Sequence, residues 1–223
     1  MKYIVLPLLI CVAVAAHAQR KFNPVLKRQL DSVLVLDQKY RELLTDLWNP
    51  AMADKIAKQY GSTPAKLTNK FWALQNHIDS ANQVFLGSVI AKYGYPGTRL
   101  VGKETDEAAW SIIQHSPDIA KYIPIIKRAA ETHQLPFDKY AMMYDRYLLN
   151  QNKEQVYGTQ CMTVELNNGK KEPCVWPIQD AEHVNERRKK AGFTTTVEQN
   201  ALRLGVTYRV VTMSEMKTRV FKP

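Results

Sequence analysis

Val156-Tyr-Gly-Thr-Gln-Cys-Met-Thr-Val-Glu-Leu-Asn-Asn-Gly-Lys-Lys-Glu-Pro-Cys-Val175 is where this chain changes its period. Upstream, apolar residues recur every three or four positions between Pro and Gly punctuation, the pattern of amphipathic helices. Within the stretch they alternate around Asn167-Asn168-Gly169, the pattern of an antiparallel hairpin. The fold expected is therefore mainly α, with a small β element near the C-terminal third.

Working back toward the N-terminus, Pro136-Phe137 opens a helix reaching about Asn152. Asp118 to His133 and Glu104 to His115 read as two more, separated by Ser116-Pro117, with Pro124 kinking or restarting the former. Gly94-Tyr95-Pro96-Gly97 is a turn. Before it, Gly61-Ser62-Thr63-Pro64 caps a long helix to about Tyr93, preceded by a short helical piece. Asn23-Pro24 opens the first long helix, and Asn49-Pro50 stops it near Trp48. Working forward, Asp180 caps a helix to about Ala191, closed by Gly192. Thr194-Thr195-Thr196 precedes one more short helix, and Val206 to Thr212 is a candidate third strand beside the hairpin. There is no repeat and no linker. The reading is one α-rich domain over residues 19–213, with a loose basic tail at 214–223.

Residues 1–18 read as a signal peptide: Lys2, an apolar run from Tyr3 to Ala16, and Ala16-His17-Ala18 as the cleavage site. The run carries Pro7 and is shorter than the roughly 20 residues needed to span a bilayer. The expected product is exported, periplasmic or extracellular, with no membrane span after cleavage. In an oxidising compartment, Cys161 and Cys174 are expected to form a disulfide. A two-residue turn at Asn167-Asn168 places Cys161 opposite Cys174; a turn at Asn168-Gly169 places Cys161 opposite Trp176. Asn-Gly is the stronger turn by propensity, but the bridge requires the first register or a bulge.

The net charge of +10 is scattered, apart from Arg187-Arg188-Lys189-Lys190. That run suits an anionic small molecule or envelope polymer, or simply a solvated helix face. Nucleic acid is disfavoured for an exported chain with no recognition-helix or aromatic-platform motif. No metal-ligand spacing and no cofactor motif is present.

The informative feature is charge on the wrong face. At about 100° per residue, Leu30, Val33, Leu34 and Leu44 form an apolar stripe, and Asp37 and Arg41 fall inside it. Asp145 lies within the stripe of Ala141, Leu148 and Leu149, with Arg146 at its margin. His115, after Gln114, sits at the edge of the face formed by Ala109, Ile112 and Ile113. An inward carboxylate costs several kcal/mol unless paired or hydrogen-bonded. The set is read as a polar pocket in which His115 is general acid or base, Asp145 orients it, and Arg41 or Arg146 holds an anion. The competing reading is an interhelical ion-pair lock.

These residues also fall in an ordered series: Asp37-Gln38 with Arg41, Gly94-Tyr95-Pro96-Gly97 with Val101-Gly102, Gln114-His115, Asp145-Arg146 and Tyr157-Gly158-Thr159-Gln160. Pro177-Ile178-Gln179-Asp180 and Arg187-Arg188 complete it. In this the chain, over about residues 30–200, resembles a bacterial family known only as a domain of unknown function. The resemblance implies no activity and no cofactor. It adds Tyr157, Gln160 and Arg187 to Asp37, Gln38, Arg41, Gln114 and Arg146 as candidate ligand-binding residues around His115 and Asp145. Two functions follow as expectations: a cell-envelope hydrolase or lyase, or a non-catalytic binding or interaction module whose cluster is structural.

Overall fold

The computed structural model describes residues 22–165 and 168–218; the expected signal peptide and the end of the basic tail lie outside that range. α1 (Pro24–Asp46) begins as its sequence dictates: the Asn23 side chain accepts from the Leu26 N–H, and Pro24 occupies the first turn, where no N–H is needed. Asn49 and Thr63 cap α2 (Pro50–Tyr60) and α3 (Pro64–Tyr93) in the same way. Leu26 and Leu30 share a cluster with Leu86 and Val89, while Leu44 shares one with Leu67 and Phe71, so α1 and α3 run antiparallel.

Gly94–Gly97 turns the chain into a short α4 (Thr98–Val101). A Cβ on Gly97 would collide with the backbone carbonyl of Gln134, whose oxygen accepts the Thr98 N–H at 3.0 Å; only glycine fits there. α5 is shorter than the spacing predicts, Ala108–Ile113. The next stretch divides at Pro124 into a 3-10 turn (Ile119–Tyr122) and α6 (Ile123–Glu131), because proline at a first turn starts a helix more readily than it continues one. α7 (Phe137–Asn150) follows. The main core is built on Leu30, Leu86, Val101, Ile112, Ile113 and Ile126, all fully or almost fully buried and each contributing roughly 1.5–3 kcal/mol by leaving water.

The hairpin is β1 (Cys161–Glu165) with β2 (Lys171–Val175). Its register is neither of those expected: Cys161 pairs with Val175, and Met162 pairs with Cys174. Adjacent residues of a strand point to opposite faces, so the two cysteines do too, and they form no disulfide. Cys161 packs with Val175, Ile178, Val184 and Val197; Cys174 packs with Val164, Trp176, Val211 and Met216. Both faces are covered, and that burial fixes the register.

Further elements flank the ribbon. Asp180 holds the cap position but its side chain makes no cap bond: it sits in the left-handed region (φ 44°) before a 3-10 turn (Ala181–His183) and α8 (Val184–Lys190). Thr196 and Gln199 form a capping box on α9 (Val197–Arg203). The expected third strand does not form. Val206 and Val211 bury in different clusters, and the Val206 N–H closes α9 on the Ala201 carbonyl, so this segment docks by side chains while the sheet keeps two strands. The tail, expected to be loose, begins as α10 (Met213–Thr218). No described helix is long and apolar enough to cross a membrane.

Candidate functional site

α1 and α3 bring polar side chains together on their shared apolar seam. Asp37 is 1% exposed and meets α3, where Gln75, Asp79 and Asn82 recur at helical spacing. Gln75 donates at 3.0 Å to the Asp37 backbone carbonyl and at 2.8 Å to Asp79 Oδ1. Arg41 grips both Asp79 oxygens from one nitrogen, at 2.6 and 2.7 Å, while its Nε stands 3.8 Å from Asp37 Oδ2. Gln38 donates to Asp37 Oδ2 at 2.7 Å, and Asn82 reaches Oδ1 at 3.4 Å.

His115 enters from the end of α5. Gln83 donates at 2.9 Å to the Ile112 carbonyl and so ties that helix end to α3. The ring then lies with Nε2 3.9 Å from Asp37 Oδ2. Burial above all, with the positive charges of Arg41 and Arg146 outweighing the pull of Asp79, lowers the His115 pKa to about 4. Burial pushes the Asp37 carboxyl up, against the pull of Arg41. At neutral pH, then, the imidazole is uncharged, and its approach to Asp37 is not an ion pair.

Arg146, on α7, acts on His115 through its charge. Its guanidinium is half-buried, burial lowers its pKa, and it makes no hydrogen bond or ion pair among the described residues. Two atoms of the inner wall, Arg41 Nε and Gln75 Oε1, are likewise buried without a hydrogen-bond partner. Water still reaches the edge of the site: the side chains of His115, Asp79 and Arg41 are 23%, 19% and 17% exposed. Gln114, half-buried beside His115, caps α5 through its backbone.

Asp145 belongs elsewhere. Fully buried, it accepts from the backbone N–H groups of Val156 (2.7 Å), Tyr157 (3.0 Å) and Thr159 (3.0 Å), and from the Thr159 hydroxyl (2.9 Å). Burial pushes its carboxyl up and these donors oppose it. No hydrogen bond or ion pair links it to His115. The loop that it holds is a junction. Arg188, 1% exposed, donates to the Tyr157 and Thr195 carbonyls and lies 4.4 Å from the Phe193 ring centre. Arg187 bonds the Val156 and Gln179 carbonyls and the Asp180 carboxylate, Gln160 holds Thr159, and the Tyr157 ring leans on Phe193. Gly158 has φ +66°, and an added Cβ would stand 2.6 Å from Val197 Cγ2 and 2.8 Å from Ile178 Cδ1. Gly158→Ala is expected to cost about 2 kcal/mol in a urea titration, from the left-handed backbone and crowding together; a loss below about 0.5 kcal/mol would show that the loop is not tight.

The structure thus sorts the expected residues into two groups. Asp37, Gln38, Arg41 and His115 meet, within the field of Arg146; Asp145, Tyr157, Gln160 and Arg187 build a loop junction. The chain matches the model of a family of unknown function, DUF6624, over residues 31–209. It belongs to that family. The DUF6624 match spans both groups and assigns a role to neither. No curated protein and no solved structure matches significantly. Gln75, Asp79 and Asn82 escape the sequence reading, although 71, 75, 82, 86 and 89 follow one helical stripe in which Gln75 and Asn82 are the polar members. Among the described residues, no three His, Cys, Asp or Glu side chains are placed to hold a metal ion.

Proposed function

We propose that this protein binds a small anionic ligand at the cluster of Asp37, Arg41, Asp79, His115 and Arg146. The observation that carries the reading is Arg146: a guanidinium held half out of water with no acceptor is a costly arrangement unless an anion completes it. Arg41 adds to the same positive field, since both arginines act on His115. A small ligand is favoured over an envelope polymer because Arg187 and Arg188 are spent on carbonyls within the fold and offer no basic surface track. The proposal includes the exported location expected from residues 1–18.

Acid–base catalysis on the bound ligand is the second reading, favoured by the neutral, water-reachable imidazole beside the Asp37 carboxylate. In it Asp37 takes the orienting part expected of Asp145, which is fully engaged by its loop.

Calorimetric titration of Arg146→Gln against the wild type tests the proposal, with acetate and inorganic phosphate as first probes. Loss of one charge-assisted contact, about 1.5–3 kcal/mol, lowers affinity roughly 10- to 100-fold. Melting of the ligand-free variant should be unchanged or raised, because Arg146 has no internal partner to lose and its burial is costly. Equal affinity in the two proteins would dispose of the idea.

A further inference from the structure

We propose that the ligand is a small carboxylic acid carrying a hydrogen-bond donor, hydroxyl or ammonium, next to its carboxylate. The inference rests on the anion-binding reading and narrows it. Asp37, Asp79 and Arg41 meet beside His115, and the charge of Arg146 acts on the same ring, but the two arginines are unequally committed. Of the two, Arg41 gives one nitrogen to both oxygens of Asp79, whereas Arg146 makes no hydrogen bond or ion pair among the described residues. One free guanidinium matches one carboxylate, by the two parallel bonds its planar fork favours. A phosphate dianion would bring a second negative charge toward Asp79 and Asp37, which Gln75 and Arg41 hold on one wall.

Apart from the Arg41 Nε–H, the rest of that wall accepts. Asp79 Oδ2 takes a single bond, from Arg41, and keeps a lone pair. A neutral imidazole always presents one unprotonated nitrogen, and the His115 ring makes no hydrogen bond among the described residues. Behind them Gln75 Oε1 is buried without a partner. Flipping that amide would not help, because its nitrogen already donates to two oxygens. A site with one free cation and a surplus of acceptors selects a ligand that is an acceptor at one end and a donor beside it.

The test is a calorimetric series on the full chain with acetate, lactate, alanine and inorganic phosphate, repeated on Arg146→Gln and Asp79→Asn. Lactate or alanine is expected to bind about tenfold more tightly than acetate, the worth of one added hydrogen bond to a charged acceptor. Asp79→Asn, which keeps an oxygen for Arg41, should erase that advantage while acetate binding survives. Acetate binding as tightly as both donor-bearing acids, or phosphate binding tightest, overturns the inference and leaves the anion reading standing. If no probe binds, or if Arg146→Gln changes none of the affinities, both fall.

Discussion

Asp145→Ala is expected to lower the unfolding free energy by about 3–5 kcal/mol, the scale for stranding several buried polar partners at once. Its carboxylate is the acceptor for three backbone N–H groups and one hydroxyl in the segment after α7. That segment has no ladder of its own beyond one bridge from Gln155 to Ile178. Without Asp145 these donors are buried and unpaired, and the loop that seats Arg188 and Asn200 loses its shape. Asp145→Asn should be nearly as damaging, since its amide NH2 would confront donors where a carboxylate oxygen now accepts. Urea denaturation measures the loss. Hydrogen exchange should show it concentrated in the hairpin, α8 and α9, with α1 and α3 largely protected. A loss under about 1 kcal/mol, or one spread evenly over the chain, would refute the pinning role.

The split between Asp145 and His115 shows what a helical wheel can resolve. Periodicity marks Asp37, Arg41 and Asp145 as polar groups inside apolar stripes, and all three point inward as read. A wheel supplies direction and no partner. Nothing in it separates a carboxylate that answers a histidine from one that answers backbone N–H groups of a loop eleven to fourteen residues downstream. The helix starts were legible because they are chemical: Asn23, Asn49 and Thr63 accept from first-turn N–H groups, and Pro follows each. The hairpin register was not. It depends on a connection of odd length between Glu165 and Lys171 and on burial of both faces, and neither can be read from alternation. The expected disulfide failed with it, since a shift of one residue moves a side chain to the other face.

For His115 the expected result concerns pH. The ring's pKa is about 4 in the folded chain against an ordinary 6.5, so between those values the unfolded chain binds a proton that the folded one refuses. Stability contributed by the neutral ring is complete above about pH 6.5 and is lost as pH falls toward 4, by about 3 kcal/mol in total. Asp37, whose carboxyl is pushed up, works in the opposite sense just above its ordinary range, and the other charged groups facing the ring are Arg41, Asp79 and Arg146. Comparing wild type with His115→Gln isolates the ring. At pH 7 the variant should melt at the wild-type temperature or slightly above, since polar groups kept for function often cost stability. Near pH 4.5 it should be the more stable protein by about 2 kcal/mol. Parallel pH profiles would show that the ring titrates normally, and a collapse at pH 7 would make it a structural pin. A saturating carboxylate should make the wild-type slope shallower. An anion on Arg146 offsets one of the charges that depress the ring and raises its pKa, and by linkage the same anion binds more tightly as the ring takes up its proton.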